Sequence, residues 1–386
     1  MSSRPIRVAL FSGNYNYVRD GANRALNTLV GYLLRQGAQV RVYSPTVANP
    51  AFPPTGDLVS LPSASIPGRP EYRVPLGLFG RVKRDLAAFA PDIVHISSPD
   101  PAAHRAVTWA RRRGLPVLAS VHTHFETYFR YYNLAFVEPL AVALLRRLYR
   151  RCDALVAPSE SFAQVLRAQR MNYDISLWTR GIDHKLFNPA RRDMNWRRAQ
   201  GFADDDVVIG FLGRLVMEKG LDVFSETIDV LKRRGVRHRI LVIGDGPARE
   251  WFEHRLPGAV FVGFQANESL ARALAATDVL FNPSDTEAFG NVTLEGMACG
   301  VPAIGARATG SSSIILDGRT GFLCEPGAVS AYADRLETYL RDPELRAAHA
   351  AASAKEAERY NWDPINQAVL DAYERLIAAR RKKAQG

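Results

Sequence analysis

The stretch from Asn282 to Gly300, NPSDTEAFGNVTLEGMACG, places two carboxylates, Glu287 and Glu295, eight positions apart, with Gly290 and Asn291 between them. Val279, Leu280 and Phe281 before it read as a buried strand, and Val292, Leu294, Met297 and Ala298 after it fit one face of a short helix. The first turn of a helix carries unsatisfied N–H groups and a partial positive charge, which suits a phosphate, and a glycine at position 290 lets that phosphate approach the backbone. Glu287 then lies in the loop and Glu295 one turn into the helix. A loop carboxylate can hold sugar hydroxyls and a helical one a ribose, which is the outline of a sugar-nucleotide site.

Other residues of suitable chemistry lie apart from this stretch. The segment GRLVMEKG sets Arg214 and Lys219 just beyond a strand, where a bidentate guanidinium and a compact ammonium can reach one pyrophosphate. The segment HTHFETYFRYYNL opens with His122 and His124 at a strand end; no Cys or carboxylate pattern completes a zinc site, so packing is the competing reading for each. Asp204, Asp205 and Asp206 precede a strand in a polar loop and are expected to be solvated rather than to hold a metal. The three cysteines, Cys152, Cys299 and Cys324, are too few and scattered for a disulfide framework or zinc site and read as buried apolar residues.

The chain that must position these groups has 386 residues, beyond the roughly 250–300 at which a single core stops growing, so two domains are expected. No apolar run reaches the ~18 residues of a membrane span and no signal-like segment follows Met1, so a cytoplasmic location is expected. The net charge of +11 is unevenly spread: residues 1–185 carry 24 Lys or Arg against 12 Asp or Glu, and the remainder 26 against 27. That asymmetry fits an anionic membrane surface, a nucleic acid or an anionic substrate. No helix-turn-helix, finger or RNA-binding motif accompanies it, so nucleic acid is not expected.

Ile6–Phe11, Val40–Tyr43, Ile93–Ile96 and Val117–Ser120 read as strands, with a helix over Asn23–Gln36 that Gly37 ends. Pro45–Pro75 lacks periodicity and reads as a long loop. Phe136–Arg151 sets Leu140, Val142, Leu144, Leu145 and Leu148 against Arg146, Arg147, Arg150 and Arg151, which fits either an amphipathic helix on anionic lipid or a core helix with a basic edge. From Tyr173 onward, Val207–Leu212, Ile240–Ile243, Val260–Val262, Val279–Phe281 and Val301–Ile304 are further strands separated by helices. Each half is therefore a doubly wound α/β sheet, whose ligands collect at the carboxyl ends of its strands. The loop after the first strand, GNYNYVRDGAN, lacks the G-x-G-x-x-G of dinucleotide enzymes.

Taken together, Glu287 and Glu295 with their seven-residue spacer, the Arg214/Lys219 pair, His122–Thr123 and the segment WTRGIDHKLF resemble the retaining GT-B glycosyltransferases, the family of GDP-mannose-dependent α-mannosyltransferases and sulfolipid synthases. The resemblance runs from Gly21 to the last helix. It implies two Rossmann-like domains facing across a cleft, an acceptor-side domain over residues 1–173 and a donor-nucleotide domain over 174–362, with a final helix, 363–386, returning to the first. It implies His122 and Glu287 as catalytic residues; Gly21, Arg214, Lys219, Asn291 and Val292 at the donor phosphates; Glu287, Phe289 and Gly290 at the donor sugar; and Glu295, Gly263 and Phe264 at the nucleoside. His124 has no part in that pattern, and Arg180 stands where Asn is more usual. The implied activity is hexosyl transfer with retention, from GDP-mannose or a UDP-sugar to a lipid or glycan hydroxyl, at the membrane surface. Neither metal nor cofactor is implied. A sugar-nucleotide epimerase and a non-catalytic sugar-nucleotide-binding scaffold of the same fold are the competing readings.

Overall fold

A computed structural model describes residues 4–18, 20–66, 69–122, 136 and 138–385 of the chain. It divides into two units, residues 1–180 with 362–386, and residues 181–361. The boundary lies beyond the expected 173/174 because Ile175–Leu177 adds a last strand to the first sheet and Trp178, 1% exposed, fills that unit's core.

In the first unit the strands are β1 (Arg7–Phe11), β2 (Gln39–Ser44), β3 (Asp57–Ser60), β4 (Ser63–Ile66), β5 (Arg69–Pro75), β6 (Ile93–Ile96), β7 (Val117–Ser120), β8 (Ala154–Ala157) and β9 (Ile175–Leu177). Seven of them form a parallel sheet in the order β3-β2-β1-β6-β7-β8-β9, so the order reverses between β1 and β6. Residues 45–75 are thus not one loop: they hold the edge strand β3 and the antiparallel pair β4–β5. The burial pattern of β3 is exposed at both ends and intermediate between, which is why its sequence shows little apolar signal.

The helix α1 (Gly21–Arg35) follows β1. Asp20 caps its start by accepting from the Asn23 N–H at 2.7 Å, and Leu26, Leu29, Val30 and Leu33 turn into the core. Its end is a Schellman turn, with Gly37 (φ 82°) donating to the Leu34 carbonyl and Ala38 to that of Leu33. The helices α2 (Gly80–Phe89), α3 (Pro101–Arg111), α4 (Glu138–Tyr149) and α5 (Glu160–Ala168) complete this run.

The second unit carries α6 (Met194–Ala199), α7 (Leu221–Arg233), α8 (Arg249–Arg255), α9 (Asn267–Ala275), α10 (Asn291–Ala298), α11 (Val329–Arg341) and α12 (Pro343–Ala357). Its strands are β10 (Val208–Leu212), β11 (Arg239–Ile243), β12 (Val260–Phe261), β13 (Val279–Asn282), β14 (Ala303–Ala306) and β15 (Gly321–Cys324), parallel in the order β12-β11-β10-β13-β14-β15. Alternate residues serve two separate cores: Val208, Leu241, Ile243 and Leu280 point to one face, and Ile209, Phe211, Ile240, Val242, Val279 and Phe281 to the other. A sheet covered on both faces reads as continuous apolar runs, as these do.

The last helix, α13 (Trp362–Gln385), belongs to the first unit. Arg35 pairs with Asp363 at 2.7 Å, and Val369, Leu370, Tyr373, Leu376 and Ile377 enter the core formed by β1 and α1. Tyr373 is fully buried and its hydroxyl meets His95 Nδ1 at 2.6 Å, on the central strand β6. Replacing Tyr373 by Ala removes that ring and leaves His95 Nδ1 without its partner. Tyr373→Ala should destabilise the first unit by about 3–5 kcal/mol, the usual range for a buried aromatic. Denaturant unfolding followed by tryptophan fluorescence checks this, and an unchanged midpoint would show that α13 contributes little.

Candidate functional site

In the second unit the strand order reverses between β10 and β13, so the loops leaving these two strands flank the topological switch point. The loop after β10 carries Arg214 and a short 3-10 turn, Met217–Lys219. The loop after β13 carries Glu287 and ends at Gly290, where α10 begins.

Three contacts join these loops. Lys219 Nζ donates to Glu287 Oε1 at 2.5 Å, the Thr286 hydroxyl donates to the Glu218 carbonyl at 3.2 Å, and Gly220 packs so tightly that an added Cβ would lie 3.1 Å from Pro283. Glu287 is held from the other side too: the Thr309 hydroxyl donates to its carbonyl at 2.8 Å, and a Cβ on Gly310 would fall 2.5 Å from the Glu287 Cβ. Its carboxylate is thus fixed at the switch point, one-fifth exposed (19%), with an ammonium beside it. Arg214 is exposed and makes no ion pair among the described residues.

The start of α10 is open in a specific way. Gly290, at φ 92°, takes a backbone conformation that side chains disfavour, and no side chain caps the first turn, which contains no acidic residue. The N–H groups around Asn291 and Val292 therefore offer an anion site. By contrast, α1 is already capped: the Asp20 carboxylate accepts from Asn23 and stands beside Gly21, so only that glycine's own backbone is left for a phosphate.

Not every expected side chain faces a ligand. The Phe289 ring is 4% exposed and packs edge-on to Tyr360, their centroids 6.0 Å apart, so any contact with a sugar must come from its backbone. Glu295 lies on the buried side of α10 at 9% exposure. Gly263 has φ 68° and accepts from the Gly244 N–H at 2.9 Å, while the Phe264 ring beside it is 64% exposed. Gly244 in turn lies so near β10's end that a Cβ there would sit 1.9 Å from the Gly213 carbonyl oxygen. The glycines ending β10 and β11 thus let the two chains pass at close range, a role hidden in the ordinary turn sequence GDGP.

Asp204 and Asp205 are matched by arginines rather than simply solvated: Arg198 meets Asp204 at 2.7 Å, and Arg237 meets Asp205 at 3.1 Å and Asp206 at 2.9 Å. The Arg198 guanidinium holds the Asp204 carboxyl below the usual range. Asp206 closes its own turn by accepting from the Ala203 N–H. All three cysteines are buried.

In the first unit His122 follows β7 inside a chain of polar groups that the sequence did not reveal. Its Nε2 meets Ser120 Oγ at 2.9 Å, and Ser120 Oγ meets His95 Nε2 at 2.9 Å. Its Nδ1 accepts from Arg180 Nη2 at 2.8 Å. Burial, then the positive charge of Arg180, then His95 depress the His122 pKa well below its ordinary value. His95, wholly buried, is pushed down to about 3. Arg180 is itself 4% exposed; burial lowers it to about 10, while the Asp20 carboxylate raises it. Thr123, His124 and the aromatic residues up to Asn133 lie outside the described residues.

Residues 19–186 match the family described as Glycosyltransferase Family 4, and residues 193–356 that described as Glycosyl transferases group 1. A sulfoquinovosyl transferase of Arabidopsis thaliana is 33% identical over 99% of this chain and 76% of its own length. A GDP-mannose-dependent alpha-mannosyltransferase of Mycolicibacterium smegmatis is 29% identical over 98% of this chain and 100% of its own. Among solved structures, sucrose-phosphate synthase of Thermosynechococcus elongatus covers 97% of this chain and 100% of its own at TM-score 0.77 and 20% identity. HepE of Anabaena, solved with UDP and glucose, covers 96% and 100% at TM-score 0.71 and 20% identity. At such identities the structures speak to fold alone, whereas the sequence matches span the chain: it belongs to the GT-B glycosyltransferases and is a glycosyltransferase using a nucleotide sugar.

Proposed function

We propose that this chain moves a hexose from GDP-mannose or a UDP-sugar to a hydroxyl of a lipid or glycan, retaining the anomeric configuration and using no divalent metal. The observation that carries this reading is the convergence of Arg214, Lys219, Glu287 and the uncapped start of α10 on one switch point of the second sheet. A relative described as a GDP-mannose-dependent alpha-mannosyltransferase supports the donor class.

In this reading Arg214, Lys219 and the N–H groups of Asn291 and Val292 bind the diphosphate and stabilise the charge that grows on it as the glycosidic bond breaks. The bond to Glu287 aims the Lys219 ammonium, whose N–H donors suit a phosphate oxygen. Glu287 and the backbone of Phe289 and Gly290 take the sugar hydroxyls. Glu295 takes the ribose, and the Phe264 ring at Gly263 supplies an exposed face for the base. Gly21 contributes its backbone N–H to the phosphates, and His122 acts at the sugar's reacting end.

The acceptor reading rests on the first unit's surface. Among the described residues no helix is long and apolar enough to cross a membrane. On α4, however, Leu140 and Leu144 are 62% and 52% exposed, Phe136 just before it is 79% exposed, and Arg147 continues the same face. Arg146 and Arg150 donate instead to the carbonyls of Gln169 and Arg170, so they act within the fold as well as on its surface. We place this apolar face on an anionic membrane, with Arg147 at the headgroups.

Three outcomes follow. Arg214→Ala and Lys219→Ala should each lower kcat/KM at least about a hundredfold, or about 2.7 kcal/mol of transition-state stabilisation. Kinetics near those of the native protein in both variants would remove these residues from the site. Turnover of a GDP-mannose or UDP-sugar panel should survive EDTA; a loss restored by magnesium or manganese would overturn the metal-free reading, and epimerised donor without transfer would favour the epimerase. Finally, the protein should sediment with anionic but not neutral vesicles, at a cost of roughly 1 kcal/mol for losing one basic contact. Leu140→Asp with Leu144→Asp and Arg147→Glu should release it, and unchanged sedimentation of that folded variant would make α4 an ordinary solvated surface.

A further inference from the structure

Arginine carries only N–H donors, so the nitrogen of His122 that faces Arg180 must present a lone pair. The single proton of the neutral ring is then on Nε2, and Nε2–H donates to Ser120 Oγ. Both ring nitrogens are thereby committed to protein partners, and the T-shaped contact with Trp178, centroids 5.4 Å apart, fixes the ring plane. Arg180 is fixed in turn: its Nη1 donates to the Trp178 carbonyl at 2.9 Å and the Thr179 carbonyl at 3.2 Å, and its guanidinium lies 5.0 Å from the Trp178 ring centroid.

From this geometry we infer that Arg180 is a positioning residue, which locks His122 in its neutral, Nε2-protonated form. The inference deepens the reading of His122 given above and rests on it. It also changes its content: a ring so held does not shuttle protons. It supplies a fixed surface at the reacting sugar and keeps a second positive charge from forming next to Arg180. An imidazolium here would have no acceptor at Nδ1 and would set an N–H against a guanidinium. The charged and titratable groups acting on the pair, among the described residues, are Arg180 and His95 on His122, Asp20 on Arg180, and Tyr373 on His95. Asp20 accepts from the Asn14 and Asn23 side chains and from the Asn23 N–H, so its own hydrogen bonds are made at the start of α1.

The test has a readout independent of turnover. In 15N NMR spectra of the native protein, with His122 assigned by its loss in His122→Ala, the non-protonated signal should belong to Nδ1 and persist from neutral pH down to the acid limit of folding. A protonated Nδ1, or titration of His122 near the ordinary histidine pKa of about 6.5, would overturn the proposal. Arg180→Met should let the ring exchange tautomers, raise its pKa, and move the acidic limb of the kcat profile to higher pH. It should also lower kcat by about tenfold or more while donor KM holds. Arg180→Lys, which keeps a donor and a positive charge, should restore much of both. Should Arg180→Met titrate and turn over like the native protein, Arg180 positions nothing. Full turnover in His122→Ala would instead sink the catalytic reading of His122 and leave the tautomer result standing, so the two failures are separable.

Discussion

Everything at the proposed donor site depends on the reversal of strand order between β10 and β13. Helices that follow parallel strands cover one face or the other, and only where the order reverses do neighbouring strands send their chains to opposite sides. The carboxyl ends at that point are left uncovered. A loop leaving β10 and a loop leaving β13 are then the two walls of the gap. Lys219 on one and Glu287 on the other close to 2.5 Å because Gly220 has no side chain to hold Pro283 away. The same reversal between β1 and β6 in the first sheet puts Asp20 and Gly21 at its switch point.

Both units solve the same electrostatic problem there. A lone buried charge is costly, so each carboxylate needs a cation and each cation an acceptor. In the second unit the pair is Lys219 with Glu287, both partly exposed, where the proposed donor phosphate would meet the ammonium. In the first unit the charges are deeper: Arg180, 4% exposed, lies in the field of the Asp20 carboxylate and spends its donors on His122 and two carbonyls. The shallow pair is suited to exchanging partners with a substrate. The deep one has no such freedom, which makes it a support for its neighbour.

Strands with long apolar runs were legible in the sequence, and so was the strand-loop-helix around Glu287, because each shows its own period. Val208–Leu212 alternates between two cores and could be read directly. Others were not read: Ala154–Ala157 and Gly321–Cys324 were missed although Ile93–Ile96 and Val117–Ser120, of the same length, were read, and Asp57–Ser60 has no buried residue to mark it. The polar chain from Tyr373 through His95, Ser120 and His122 to Arg180 was hidden for another reason. Its members come from four distant parts of the sequence, and a histidine on a central strand looks like any polar interruption until its neighbours are known. Arg180 offered a signal, since a cation replaced the more usual Asn beside an otherwise matching segment.

Locating the ion pairs also changes what the charge asymmetry means. In the second unit the arginines find acids: Arg192 and Arg197 share Asp278, Arg234 meets Asp334 and Glu337, and Arg307 meets Asp317. In the first unit several turn to backbone carbonyls instead. Arg111 donates to the Arg151 carbonyl, Arg146 to that of Gln169 and Arg150 to that of Arg170, the last two at the carboxyl end of α5. A helix's C-terminal end is a favourable place for a cation, yet it supplies only about half an elementary charge against each full one. The positive field is therefore anchored without being neutralised. At physiological salt it extends about 8 Å from the surface, enough to draw an anionic partner toward the apolar face of α4 before any side chain touches it.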